Sequence, residues 1–141
     1  MNNSNVFFKV QDILDLSLKN EFDLVTVFDA IHDQPKPDLV LKNINHSFSD
    51  KGVFLMQDIL ASTPLKGNIS HPLGTFLYTI SCMHCMSVSL SQNGAGLGAM
   101  WGKEKAISML KEAGFVRVQV KTLPFDFHNY YNCAYKTKLN K

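Results

Sequence analysis

Apolar and polar positions along the chain alternate between two kinds of pattern. "EFDLVTVFDAIHD" and "GVFLMQDI" carry continuous β-prone apolar runs over Phe22–Phe28 and Val53–Ile59, the pattern of strands covered on both faces. "NVFFKV" predicts a further short buried strand, Val6–Val10, ending toward Asp12. "FVRVQVKTLPF" and "NYYNCAYKTK" alternate apolar with polar residues, as half-exposed strands do, and are predicted to pair antiparallel through a turn around Pro124–His128. Helical spacing relates Leu39, Val40, Ile44 and Phe48, with Pro35 and Pro37 suiting the entry and Gly52 placed to close the helix. Ala106, Ile107, Leu110 and Ala113 share one helix face that stops at Gly114. A third helix is predicted from about Leu73 to Leu90.

The predicted order is β, β, α, β, a helical insert over about residues 60–102, α, β, β. Strands alternating with helices imply an α/β layered sheet, mostly parallel, with an antiparallel pair at the C-terminal end. In such sheets ligands bind beyond the carboxyl ends of the parallel strands, and Asp12, Asp29 and Asp58 stand at those ends.

Composition narrows the class. The 141 residues are 45% hydrophobic and 18% charged, with a formal net charge of +2, the profile of one globular domain with a core. Arg117 is the only arginine, so no guanidinium cluster awaits a phosphate backbone and nucleic-acid binding is not expected. No apolar run reaches the ~20 residues of a membrane span. Three cysteines form no framework, which points to a reducing cytoplasm.

Several residues carry candidate chemistry. His32 and Asp33 fall where the second strand gives way to a helix, and a histidine there could take a proton from a substrate hydroxyl or amine. It could equally cap or pack locally, and the sequence supplies it with no partner. In the insert, Phe76, Leu77, Ile80, Met83, Met86, Val88 and Leu90 suit an apolar pocket wall or a packed core, with His71, Tyr78 and His84 as polar groups within it. "SCMHCM" offers Cys82, His84 and Cys85, but on a helix His84 lies about 200° from Cys82, so the three cannot converge and no metal site is expected. "NGAGLGAMWG" spells GxGxG at Gly94, Gly96 and Gly98. The preceding "SLSQN" is polar rather than a buried strand, so the loop predicts a lid or turn instead of a cofactor cradle. Trp101 beside it is either an aromatic lid over a substrate or the anchor of the following helix.

Together, "VQDI" after a strand, "FDLVTVFDAIHD", "VLKNINHSFSDKGVFLMQDI" and "MLKEAGFVRVQV" resemble successive blocks of class I S-adenosylmethionine-dependent methyltransferases. The "FDAIHDQ", "HPLGTFLYT…HCMSVSL" and "GLGAMWG" blocks resemble a subgroup that carries an N-terminal winged-helix domain. The resemblance implies a partial Rossmann-like methyltransferase sheet, strands three to seven, in a single partial domain over 1–141. The first two strands, the glycine loop and the winged helix are expected to be absent. It implies S-adenosyl-L-methionine held by its adenine side only. Asp12 would accept from the adenine amino group, Ile13 would offer its N–H, and Phe28 and Asp29 would form the cofactor floor. Asp12 could otherwise simply cap the "ILDLSL" turn, and Phe28 could be plain core. The activity implied is methyl transfer to a small, partly apolar molecule, with the truncated chain's own activity in doubt. The alternative is a non-catalytic remnant that pairs with a partner or with itself through an exposed strand edge.

Overall fold

The computed structural model describes residues 5–137. Four strands form one sheet: β1 (Phe22–Phe28), β2 (Phe48–Ile59), β3 (Arg117–Leu123) and β4 (Asp126–Tyr135), in the order β1-β2-β4-β3. β1 runs parallel to β2, β4 is antiparallel to β2, and β3 is antiparallel to β4. The C-terminal pair turns between Leu123 and Asp126, within the predicted region. The architecture is mixed α/β with a helical insert, one parallel strand pair extended by two antiparallel strands.

Helix α1 (Pro37–Ser47) begins on a proline and buries Val40, Leu41 and Ile44. Helix α4 (Lys103–Glu112) buries Ala106, Met109 and Leu110, and the chain leaves it through Gly114 at φ +100°. Both pack on one face of the sheet. Because side chains alternate along a strand, Phe54 and Met56 of β2 point to that face, beside Val25 and Val27 of β1 and Ala134 and Tyr130 of β4. Phe48, Phe54 and Phe115 form an aromatic cluster with centroids 5.5–6.3 Å apart, within the range of favourable ring contacts.

The insert is a bent helical rod, α2 (Gly74–Ile80), a π-turn (Ser81–Cys85) and α3 (Met86–Ser91), which matches the predicted helix in extent. A smaller second core of Ile59, Ala61, Cys85, Ala99 and Met100 joins the insert to the sheet.

Four expectations fail. Residues Val6–Val10 form no strand, and Phe8 and Val10 are almost fully exposed. Nothing among the described residues pairs with them, and a strand needs a partner for its backbone groups. β1 is not covered on both faces. Leu24, Thr26 and Phe28 share the face of Val53, Leu55 and Gln57, and no helix lies over Leu24 or Phe28, which are 59% and 58% exposed. Gly52 does not end α1. That helix gives way at Phe48 directly into β2, and Gly52 closes an irregular stretch where the ladder jumps from Phe22↔Phe48 to Leu24↔Val53. The apolar side chains of the insert do not all turn inward: Phe76, Met83 and Leu90 are exposed while Leu77 packs on the second core.

Candidate active site

The carboxyl end of β1 and the neighbouring end of β2 bring four polar side chains together. After Phe28 the chain turns through Asp29, at φ +51°, and a tight turn closed by Gln34 N–H donating to Ile31 O at 3.1 Å. His32 and Asp33 are the two central residues of that turn. Gln34 Nε2 donates to Ala30 O, fastening it further. Asp58 is the last inward residue of the row Phe54, Met56, Asp58 on β2, so the strand's alternation carries a carboxylate onto the core face of the sheet.

His32 and Asp58 meet there. The Nδ1 of His32 lies 3.1 Å from Asp58 Oδ1 and 3.3 Å from Oδ2, with both residues almost wholly buried. Asp58 Oδ1 also accepts from Ile59 N–H at 2.8 Å. An ionised carboxylate only accepts, so Nδ1 carries the hydrogen and the lone pair of neutral His32 is on Nε2. That nitrogen faces Asp33 Oδ1 at 3.5 Å, and Asp29 lies 3.9 Å from Nδ1. Burial opposes charge on His32, but the Asp58 hydrogen bond and the fields of Asp58, Asp33 and Asp29 together hold its pKa above the ordinary histidine value. For Asp29, burial and then Asp58 raise the carboxyl above its usual range despite the counteracting pull of His32.

Cys85 approaches the same cluster from the insert. Its thiol is pushed up to about 11 by burial and by the nearby Asp33 carboxylate. A regular helix would place this residue differently; the π-turn adds a residue to one turn and rotates the helix beyond it. Cys82 and His84, the other members of the "CMHC" run, are exposed. Tyr130, opposite Asp58 in the β2–β4 ladder, is fully buried, and burial together with Asp58 raises its phenol pKa.

The remaining candidates are dispersed. Asp12 caps the short 3-10 turn Ile13–Asp15 by accepting from Leu14 N–H at 2.8 Å, and Asn43 Nδ2 ties that turn to α1 through Ile13 O and Leu14 O. His71 accepts from Leu73 N–H on Nδ1 and donates from Nε2 to Leu60 O at 3.0 Å. It lines a cavity of about 290 Å³ with Asn68, Ser70 and Lys103. Tyr78 accepts through its hydroxyl from Asn68 Nδ2 at 2.9 Å. Trp101 lies in the main core, 5% exposed, its carbonyl accepting from Thr63 Oγ1.

The glycine loop runs from the end of α3 toward α4, not from a strand into a helix. Ala95 N–H donates to Pro35 O and Gly96 N–H to Ser89 Oγ, so its amides serve internal packing. The sequence showed Asp58 only as a strand-end carboxylate, offered Cys85 only as a ligand beside Cys82 and His84, and gave no sign of Tyr130. The two-residue period of β2 was signal enough for Asp58; nothing local announced a π-turn or a ladder partner.

A family profile described as "Methyltransferase domain" matches residues 1–114. Solved structures share the fold. One is an O-methyltransferase family protein from Burkholderia thailandensis, TM-score 0.67 at 14% identity, covering 95% of this chain and 36% of that one. Another is a putative O-methyltransferase from Nostoc punctiforme, 0.62 at 18%, covering 86% and 34%. A third is the trans-methyltransferase CalH in complex with SAH, 0.62 at 21%, covering 94% and 36%. The chain thus spans about a third of the length of these structures. No curated protein sequence matches it significantly. The profile covers most of the chain, and the chain belongs to the methyltransferase domain family.

Proposed function

We propose that this chain is the acceptor-side portion of an S-adenosylmethionine-dependent methyltransferase acting on a small hydroxylated molecule. His32 is its general base, and Asp58 is the residue that positions it. The carrying observation is the buried pair of His32 Nδ1 and Asp58 at 3.1 Å, set at the carboxyl ends of parallel strands. SAH in the CalH structure supports the choice of cofactor.

The residues present suit one end of that cofactor. Asp12 is an exposed carboxylate on a turn anchored to α1, an acceptor for an exocyclic amine, with the Ile13 amide beside it. Phe28 offers an exposed aromatic face at the strand end, next to the half-exposed Asp29. When bound, the sulfonium supplies an already activated methyl group, so the protein's task is chiefly alignment and proton removal. Asp58 fixes the ring plane and tautomer of His32 and leaves Nε2 to receive the acceptor's proton. The surrounding carboxylates stabilise the imidazolium that results.

Asp33, His71, Tyr78, His84 and Trp101 were expected around the acceptor. Asp33 is the one beside His32 Nε2, and we assign it the closest approach to the reacting hydroxyl. A second reading, a pairing module, rests on the uncovered face of β1.

Equilibrium binding tests the cofactor assignment. With grip on the adenine side alone, adenosine and S-adenosylmethionine should bind with similar, weak affinity, and Asp12→Ala should weaken both. Micromolar binding of S-adenosylmethionine with adenosine far weaker would overturn the adenine-only assignment. Transfer of a labelled methyl group to small hydroxylated aromatics, lost in His32→Ala, tests the base.

A further inference from the structure

The expectation of no metal site in the chain was argued from Cys82, His84 and Cys85. The fold separates those three and builds a different trio. One ligand atom each from His32, Asp33 and Cys85 lie mutually within 4.8 Å. His32 Nε2 and Asp33 Oδ1 are 3.5 Å apart, close to the ~3.3–3.7 Å between ligands bound tetrahedrally at about 2.0–2.3 Å. We propose that His32 Nε2, Asp33 Oδ1 and Cys85 Sγ form a site for a zinc-class divalent cation, and that filling it switches the base off.

Three further observations support this. Asp33 Oδ1 is buried and makes no hydrogen bond, an acceptor otherwise left at a desolvation cost. The outer nitrogen of His32 is held by Asp58, the carboxylate–histidine relay that orients metal-bound imidazoles and increases their basicity. Cys85 is only 4% exposed and is turned toward the turn by the π-segment, whereas Cys82 stays outside. Thiolate, imidazole and carboxylate with one remaining position for water is a donor set for zinc or cobalt rather than for magnesium or calcium. Binding is non-redox: the thiol proton leaves to solvent as the sulfur–metal bond forms. The occupied Nε2 then has no lone pair for an acceptor's proton. Only that consequence rests on the methyltransferase reading.

Cobalt(II) titration of the full chain reads the site directly. One equivalent should produce a thiolate-to-cobalt charge-transfer band and the intense visible bands of a four-coordinate ion, displaced by zinc. Cys85→Ser should lose the charge-transfer band while Cys82→Ser keeps it, and Asp58→Asn should weaken affinity by roughly 10–100-fold. No band in the folded wild-type chain, or a band that survives Cys85→Ser, overturns the proposal. Should Cys85→Ser fail to fold, X-ray absorption on the zinc-loaded wild type decides: one sulfur with nitrogen and oxygen neighbours supports the site, and a shell without sulfur overturns it. The spectra need neither cofactor nor acceptor, so their failure leaves the base reading standing. A base reading lost in methyl-transfer assays leaves the bands in place.

Discussion

His32 illustrates how little of a residue's chemistry is local. Its type and its place after a strand were readable; its competence comes from Asp58, 26 positions away, and from the Asp33 carboxylate at its other nitrogen. If His32 is the base, His32→Ala should lower kcat for methyl transfer by roughly 10²–10⁴-fold, with a smaller change in KM, measured by label transfer. Asp58→Asn removes the charge that outweighs burial, so the alkaline-rising limb of the pH–rate profile should move to lower pH, toward or below ~6.5. A merely structural role for Asp58 would lower the rate without moving that limb. The same pair leaves a mark on stability. Because the folded-state pKa of His32 is raised, its contribution is fully present below the unfolded value of ~6.5 and is lost as pH rises through the folded one. Urea midpoints for the wild type should therefore fall as pH rises above about 6.5, and Asp58→Asn should flatten that fall.

At the scale of elements, the start of α4 is capped by a distant loop. Gly102, the N-cap, has no side chain to offer. Thr63 Oγ1 accepts from Lys105 N–H while donating to Trp101 O, and Glu104 accepts from Thr63 N–H at 2.7 Å. Burial opposes ionisation of Glu104, but these hydrogen bonds lower its pKa overall. Thr63→Ala should cost about 1 kcal/mol in urea unfolding, the usual value of a lost N-cap. Gly102→Ala should cost more, upwards of about 2 kcal/mol, since φ 83°, ψ 155° is open essentially to glycine alone and an added Cβ would run into the Thr63 backbone. This clamp also shows where the sequence stopped being legible. Periodicity located β1, β2, α1, α4 and the β3–β4 pair because each is encoded by its own neighbours. The glycine loop was separable from a cofactor cradle by its polar lead-in alone. Val6–Val10 misled because apolar composition reports a preference for burial and says nothing of whether a partner strand exists. The Thr63 clamp, the π-turn that brings in Cys85, and the His32–Asp58 pair all arise between segments distant in sequence. No local pattern encodes those meetings.

The sheet as a whole is covered on one side. α1 and α4 pack over Val25, Val27, Phe54 and Met56, whereas the opposite face presents Leu24 and Phe28 on a β1 whose outer edge has no strand beside it among the described residues. The extended segment Phe7–Val10 adds more exposed apolar surface. An uncovered apolar face next to an open edge is the arrangement that natural sheets suppress with charges, bulges or covering elements. β1 carries one charge, Asp23, near its start, and no proline within Phe22–Phe28. The chain should therefore self-associate, with sedimentation velocity showing a mean mass that climbs with protein concentration. Leu24→Lys places a charge on the uncovered face without touching the core on the other, because Leu24 shares its face with Val53 rather than with Phe54. That variant should keep the wild-type unfolding midpoint and shift the distribution toward monomer. Association driven by the helical insert, where Phe76 and Met83 also lie exposed, would instead be indifferent to Leu24→Lys and would respond to Met83→Lys. The comparison of the two variants thus assigns the contact to the sheet or to the rod.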